Sequence, residues 1–413
     1  MRVPERDFCG DCRGVENVTS VDLFSDAFYS YNPKTGWEDL GPHPGGTRGF
    51  AQGDIMDRGT EKETLYFGLG QTRSADEDGN DLAIFPRWDY LEDGSYGVVE
   101  NATAYPRLTD WWSFDGQSWK RLADFPGIGR THPGVTAENG KVFVGLGFGE
   151  LCPHENEDCS TGTGHDDPRG RSGNLQDLWI YDVASDTWEE GASFSYPVHH
   201  PMHFSANGQA YFVAGHNGGI VYNKLWRHNY LYNGTDSWTE MSPIPGVGRV
   251  AGSQFDHRGK GYILGGETAS RGNNIMDGFP NSVQVGAEAT QYPEDHRSME
   301  KNEFWEYDGA TDTWKELAPT PDDGSRWAGS SFVLDDYVYA FNGVIRKGHY
   351  HLENSDFIKV WPQQGYRMYI GPKEEDDDDE EGVADNDTDT SSGSGGASNI
   401  MILMLSILLL GGK

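Results

Sequence analysis

Residues 178–188 read LWIYDVASDTW and residues 304–314 read FWEYDGATDTW. Each is an aromatic run ending in Asp, then a polar turn, then a Trp six positions after that Asp. The same order recurs as FYSYNPKTGW ending at Trp37, WWSFDGQSW at Trp119, YLYNGTDSW at Trp238 and, in degenerate form, FIKVWPQQGY at Tyr366. Short aromatic and β-branched runs bounded by Gly, Asn and Asp predict strands. The DG, NG and D-x-x-x-D segments supply tight turns, so each copy reads as a hairpin. A second kind of segment alternates with the first, an apolar run closed by glycine: LYFGLG (65–70), VFVGLGFG (142–149), AYFVAG (210–215), GYILGG (261–266) and YVYAFNG (337–343). Nothing within residues 24–370 carries a helical period. The expectation is an all-β chain built from repeats.

The composition agrees and excludes several alternatives. The chain has 413 residues with 55 Gly, 13 Trp, 20 Tyr and 19 Phe. The glycine shows no three-residue period, which removes collagen. A net charge of −34 argues against nucleic acid, whose phosphates are held by Lys and Arg.

The alternating segments resemble the kelch repeat, in which each four-stranded unit is one blade of a β-propeller. The residues that carry the resemblance are the glycines closing the second strand, the aromatic-Asp pairs Tyr181-Asp182 and Tyr307-Asp308, and the Trp beyond. It implies a propeller over residues 24–372, with six blades of four antiparallel strands as the expected count. The first blade reads as incomplete, because the hairpin at 24–40 lacks a glycine-closed partner; residues 1–23, with a Cys pair, either supply irregular strands or stand where a longer N-terminus belongs. Five blades and a dangling hairpin is the alternative.

Three insertions, at 71–110, 149–177 and 267–302, fall between second and third strands. In an up-and-down meander they emerge on the same face as the blade-joining loops. Those loops carry GGTRGF at Arg48, GIGRTHP at Arg130, YPVHHP at His199 and His200, GVGRVAG at Arg249 and GSRWAG at Arg326. Two readings stand. The arginines form a cationic rim suited to a carboxylate, sulfate or phosphate, or they tie blades together. His132, His199, His200 and His203 are read as channel-side, either as rim residues or with two or three of them holding a metal. Arg48, Arg130, His132, His199, His200, Arg249 and Arg326 are therefore the expected ligand-binding residues.

The cysteines fall into two close pairs, Cys9/Cys12 and Cys152/Cys159, read as disulfides, with zinc as the competing reading. Asp-rich insertions offer oxygen for calcium, although solvated loops explain them as well, and no other cofactor is expected. Asn17, Asn101 and Asn233 head glycosylation sequons, as does Asn386. Residues 373–399 form an acidic, Ser/Gly-rich disordered linker. Residues 400–413 contain the run IMILMLSILLL, too short to span a bilayer. It reads as a GPI-type anchor signal, as a truncated transmembrane segment, or as a terminal peptide with no anchoring role. The expected location is extracellular or cell-surface, as a monomer.

The leading functional expectation is a binding protein, not an enzyme, holding a protein or glycan on the looped face. No nucleophile elbow, phosphate loop or metalloprotease helix is present. The alternative is a carbohydrate-active propeller enzyme. The chain is similar to the sialic acid mutarotases in its kelch repeats and in Gly129-Arg130 and Gly248-Arg249; that similarity implies an Arg gripping a sugar carboxylate, with Glu267 as a candidate acid or base. The copper-radical galactose oxidases need a Tyr–Cys crosslink, which the placement of the cysteines disfavours.

Overall fold

The computed structural model describes residues 25–72, 84–90, 96–103, 106–150, 172–217, 220–230, 235–245, 248–266, 303–321, 325–341, 343–347, 358–360, 365–372 and 403–404. Every regular element among them is a strand, and among these described residues no helix is long and apolar enough to cross a membrane. The two expected disulfides, Cys9 with Cys12 and Cys152 with Cys159, fall on residues outside this set, and no cysteine pair is seen among the described residues. Asn17, Asn233, Asn386 and Glu267 also lie outside the described residues. Asn101 falls in the strand Tyr96–Thr103.

Four antiparallel four-stranded meanders follow one another along the chain. Blade I consists of Gln52–Met56, Thr64–Gly68, Trp111–Phe114 and Trp119–Arg121. Blade II consists of Gly134–Glu138, Lys141–Gly145, Leu178–Asp182 and Thr187–Gly191. Blade III consists of Met202–Ala206, Gln209–Val213, Leu225–His228 and Trp238–Met241. Blade IV consists of Ser253–His257, Lys260–Leu264, Phe304–Asp308 and Thr313–Glu316. Among the described residues blade V has three strands, Ser330–Leu334, Tyr337–Phe341 and Tyr366–Tyr369. The first strands of blades I to V pack side by side around the axis. An all-β propeller of antiparallel meanders is the fold class that the repeats predict.

The repeat's Trp and Asp act between blades. The Trp188, Trp238 and Trp314 indoles donate to the carbonyls of Ala123, Ala192 and Ser242 at 2.9, 2.8 and 2.7 Å, in the loop leaving the preceding blade. Asp186, Asp236 and Asp312 accept the Ala123, Ala192 and Ser242 amides of the same loops. The closing glycines do the same at the other end. Gly70, Gly147, Gly215 and Gly266 donate their amides to the carbonyls of Arg130, Val198, Arg249 and Arg326 in the next blade. All four have positive φ. At Gly147 a Cβ would lie 2.7 Å from the Thr131 carbonyl oxygen, so the position needs both the left-handed backbone and the missing side chain.

Two hairpins differ from the sequence reading. In blade III the third strand is Leu225–His228, not the YLYN run. Asp236 and Trp238 keep their places against blade II, so the turn before them is lengthened and the strand starts upstream. In blade V the third strand is Tyr366–Tyr369, paired with Tyr337–Ala340. Ile358–Val360, from the degenerate sixth copy, instead pairs with Val344–Lys347. Tyr366 thus begins a strand where a Trp would close a hairpin.

The first hairpin, Ala27–Asn32 with Gly36–Pro42, lies between blades V and I. Phe28 is fully buried, 4.9 Å from both Phe114 and Trp119 of blade I. Tyr31 faces Tyr339 and Phe341 of blade V at 5.6 and 6.3 Å. The free edge of its first strand is paired by Leu403–Met404, with Phe28 opposite Met404 and Tyr29 opposite Leu403. These two residues belong to the apolar segment that the sequence reads as an anchor signal.

Candidate functional site

The inner strands all begin in the same way. Two residues beyond each repeated Arg, or beyond Val198 in blade III, stands a non-glycine residue in left-handed backbone: Phe50, His132, His200, Ala251 and Ala328, with φ between 50 and 59°. Such a φ is uncommon outside glycine. Five-fold recurrence at one step makes it a property of the repeat. All five residues line a cavity of about 230 Å³ on the propeller axis. The wall is therefore uneven at its loop-side end, with two imidazoles and a phenyl ring on one side and two methyl groups on the other.

Insertions flank this end, as the meander argument requires. Phe148–Glu150, after the second strand of blade II, pairs with Arg130–Thr131 before its first. His199 bridges His216 in blade III in the same manner.

Four histidines converge there. His132 shares a 3.2 Å hydrogen bond with His199, Nδ1 to Nε2. His200 shares one of 3.1 Å with His216, again Nδ1 to Nε2. Ring centroids lie 3.8 Å apart for His132 and His200, 3.9 Å for His199 and His200, and 4.7 Å for His199 and His216. One ligating nitrogen from each of His132, His199 and His200 falls within 4.8 Å of the others. Burial holds the His132 and His200 imidazoles well below their usual pKa, with the His216 charge adding to both and Arg107 adding to His132. Both rings are neutral at pH 7, the form that ligates metals and that accepts at one nitrogen while donating at the other.

Deeper along the axis the wall becomes ionic. The Arg58 guanidinium hydrogen-bonds Asp54 and lies 3.3 Å from Asp256. Asp54 also accepts the Ala137 amide of blade II at 2.8 Å. Burial pushes the Asp256 carboxyl up to about 7, opposed by Arg58 and reinforced by Asp54 and Glu138. A shift in this direction moves a carboxyl toward the range in which it works as general acid or base. His203, in contact with Gln254 at 3.2 Å, is lowered by burial to about 4.

The arginines are placed differently from a ligand-binding rim. Arg48, Arg130, Arg249 and Arg326 are all buried. Arg130 makes a bidentate pair with Asp177 at 2.7 and 2.7 Å and donates to the Leu146 and Ile128 carbonyls. Arg48 makes the same pair with Asp110, and Arg249 reaches Glu303 at 2.6 Å. Arg326 lies over the Tyr366 ring. The carboxylates also accept the indole N–H of Trp112, Trp179 and Trp305, two residues further on. Each pair bolts the entry of the first strand to the entry of the third, so the guanidiniums of Arg48, Arg130 and Arg249 are engaged within their blades. Burial alone would raise the Asp177 carboxyl; the Arg130 hydrogen bonds and charge outweigh it and hold it low.

Blade III lacks the bolt. Val198 occupies the Arg step, since Gly147 donates to its carbonyl, and Lys224 occupies the carboxylate step. His199 and His200 are thus one and two residues beyond the Arg step, and Lys224 pairs with Glu240 instead. His132, His199 and His200, read from the sequence as channel-side, lie together at the loop-side end, with His203 further down the channel. Sequence reasoning missed His216, Asp54, Arg58 and Asp256. His216 had a signal, because it directly follows the glycine that closes the second strand.

No protein-family model matches the chain. The sequence is 24% identical over 264 residues to N-acetylneuraminate epimerase 1 of Escherichia coli, an alignment covering 61% of this chain and 54% of that protein. The chain therefore spans about half the length of the curated relative it matches. A solved structure, that of YjhT, superposes with a TM-score of 0.48 at 14% identity, covering 83% of this chain and 91% of that one.

Proposed function

We propose that the chain is a carbohydrate-active propeller whose axial cavity takes a sugar acid at its loop-side end and promotes proton transfer at the anomeric centre. The observation that supports this best is the cavity itself: a pocket of about 230 Å³ whose wall holds the His132 and His200 imidazoles together with the Asp256 carboxyl, which burial pushes up. Similarity to an N-acetylneuraminate epimerase supports the choice of substrate class.

Interconversion of sugar anomers needs a group to take the proton of the anomeric hydroxyl and another to protonate the ring oxygen. The ring opens, the carbonyl carbon turns, and the reverse transfers close it. Asp256 and the neutral imidazoles are groups of this kind in the wall. Arg107, which lies 5.1 Å over the Phe148 ring and acts electrostatically on His132, places positive charge near the histidines, as an anionic sugar requires.

The test is exchange NMR on N-acetylneuraminate with the purified chain. Anomer exchange at pH 7 should exceed the spontaneous rate at least tenfold. Ala251→Phe should abolish the gain, because Phe50 holds the same step in blade I and a second ring there would fill the cavity without straining the strand entry. Binding with no acceleration would leave a sugar-binding module, and neither binding nor acceleration would refute the reading.

A further inference from the structure

We propose that His132, His199 and His200 form a binding site for a borderline divalent transition-metal ion, Zn²⁺ being the probe of choice, with His216 as an orienting partner. The site draws on imidazoles of the same cavity, and an ion held there would leave Asp256 as the proton-transfer group of the wall; its geometry does not rest on any sugar chemistry.

Four features of the geometry support it. First, the three ligand nitrogens lie within 4.8 Å of one another. A tetrahedral zinc site with Zn–N bonds of about 2.0–2.1 Å sets its nitrogens about 3.3 Å apart. Contraction by roughly 1.5 Å at most, within reach of imidazole ring rotation, would bring the group onto one ion.

Second, the Nε2 atoms of His132 and His200 are sealed from solvent and have no hydrogen-bond partner. A buried nitrogen without a partner carries a desolvation cost of about 1–3 kcal/mol. Two of them in one wall are nitrogens whose desolvation an ion bound there would offset.

Third, the engaged nitrogen of His200 is the right one: its Nδ1 is held by His216 and its Nε2 is left over. The His132–His199 bond, by contrast, joins two of the ligands and would break as His199 turns its Nε2 to the ion. Metal-bound imidazoles characteristically have their second nitrogen hydrogen-bonded, which fixes the ring orientation. His216 would do this for His200, and the pair would persist in the loaded site.

Fourth, backbone strain commits two of the rings to this wall. His132 and His200 both sit at left-handed φ, 51° and 52°. Two methyl side chains, Ala251 and Ala328, hold the equivalent step in blades IV and V, so the ion's fourth position would open onto cavity space and not onto packed side chains. Three protein nitrogens and one open position make up the donor set of a reactive zinc centre. Among the described residues the cluster contains no carboxylate or thiolate, which favours imidazole-preferring ions over Ca²⁺ or Mg²⁺. The net charge of −34 offsets the repulsion from Arg107 and draws cations toward the channel.

The experiment uses the full chain stripped with a chelator and then titrated with Zn²⁺ by calorimetry, with bound metal counted by mass spectrometry. One ion per chain should bind in the presence of excess Mg²⁺, which occupies the acidic tail instead. His132→Gln and His200→Gln should each weaken that site at least a hundredfold, and His216→Ala about tenfold or more. Co²⁺ substitution in the unaltered chain gives a readout that requires no variant to fold: a four-coordinate nitrogen site produces intense visible absorption, displaced by Zn²⁺. Failure to bind in excess Mg²⁺, binding unchanged in the histidine variants, or a weak six-coordinate Co²⁺ spectrum would each overturn the proposal. Because these readouts contain no sugar, absence of anomer exchange leaves them intact, and absence of metal leaves the exchange test intact.

Discussion

Replacing Arg130 by Val tests the bolt that recurs through the blades. The Arg130 side chain is fully buried, makes a bidentate pair with Asp177, caps the Leu146 and Ile128 carbonyls, and lies 4.7 Å over the Phe125 ring. Removing one partner of a buried pair costs about 3–5 kcal/mol, because the other is left uncompensated. Asp177 retains 24% side-chain exposure and the Trp179 N–H, which places the expected loss near the lower end, about 3 kcal/mol. At about 2.1 cal/mol/K per residue over a propeller of roughly 350 residues, that corresponds to a drop of about 4 °C in Tm. Blade III supplies the control, since it carries Val198 and Lys224 at the two steps. The double replacement Arg130→Val with Asp177→Lys should therefore cost less than the sum of the single ones, by about 1.5 kcal/mol or more. Urea unfolding followed by Trp fluorescence, run on all four proteins, measures this coupling. Additivity within about 0.5 kcal/mol, or a cost below about 1 kcal/mol for Arg130→Val alone, would refute the view that the pair acts as a unit.

Asp256 has a folded-state pKa of about 7, above its unfolded value, so the native state holds the extra proton between about pH 4 and pH 7. Its contribution to stability is full at low pH and is lost as pH rises through 7; Asp256→Asn should flatten that part of the stability–pH curve, and an unchanged slope would count against a buried protonated carboxyl. Gly147→Ala should cost about 2 kcal/mol or more, because it combines left-handed strain with a Cβ 2.7 Å from the Thr131 oxygen. Gly140→Ala has the same φ sign and open space around it, and should cost only about 1 kcal/mol; equal losses in thermal melts would show that strain alone matters.

How far the sequence could be read depends on the range of each interaction. LWIYDVASDTW and FWEYDGATDTW announced their hairpins because the turn Asp, the strand aromatics and the Trp are local and recur. The third strand of blade III escaped because its register is set by Asp236 and Trp238 docking on the Ala192 loop of the preceding blade, 44 and 46 residues away. The sequence showed Arg48, Arg130 and Arg249 as a periodic motif, yet not their direction. Asp110, Asp177 and Glu303 are 62, 47 and 54 residues further along the chain, and only the finished sheet brings them under the guanidiniums.

By itself, then, the amino-acid sequence determined an all-β repeat, the order of its strands, the face that bears the insertions, and the position of His132, His199 and His200 at the start of inner strands. Those properties rest on turn chemistry and periodicity, which act over a few residues. Tertiary structure alone decided that the arginines are bolts, that His216 completes the histidine cluster, and that Asp54, Arg58 and Asp256 meet deep in the channel. It also decided that Leu403–Met404 lie beside the first hairpin. Each of these depends on ring closure, which places residues far apart in sequence around one axis, and no local pattern encodes that distance.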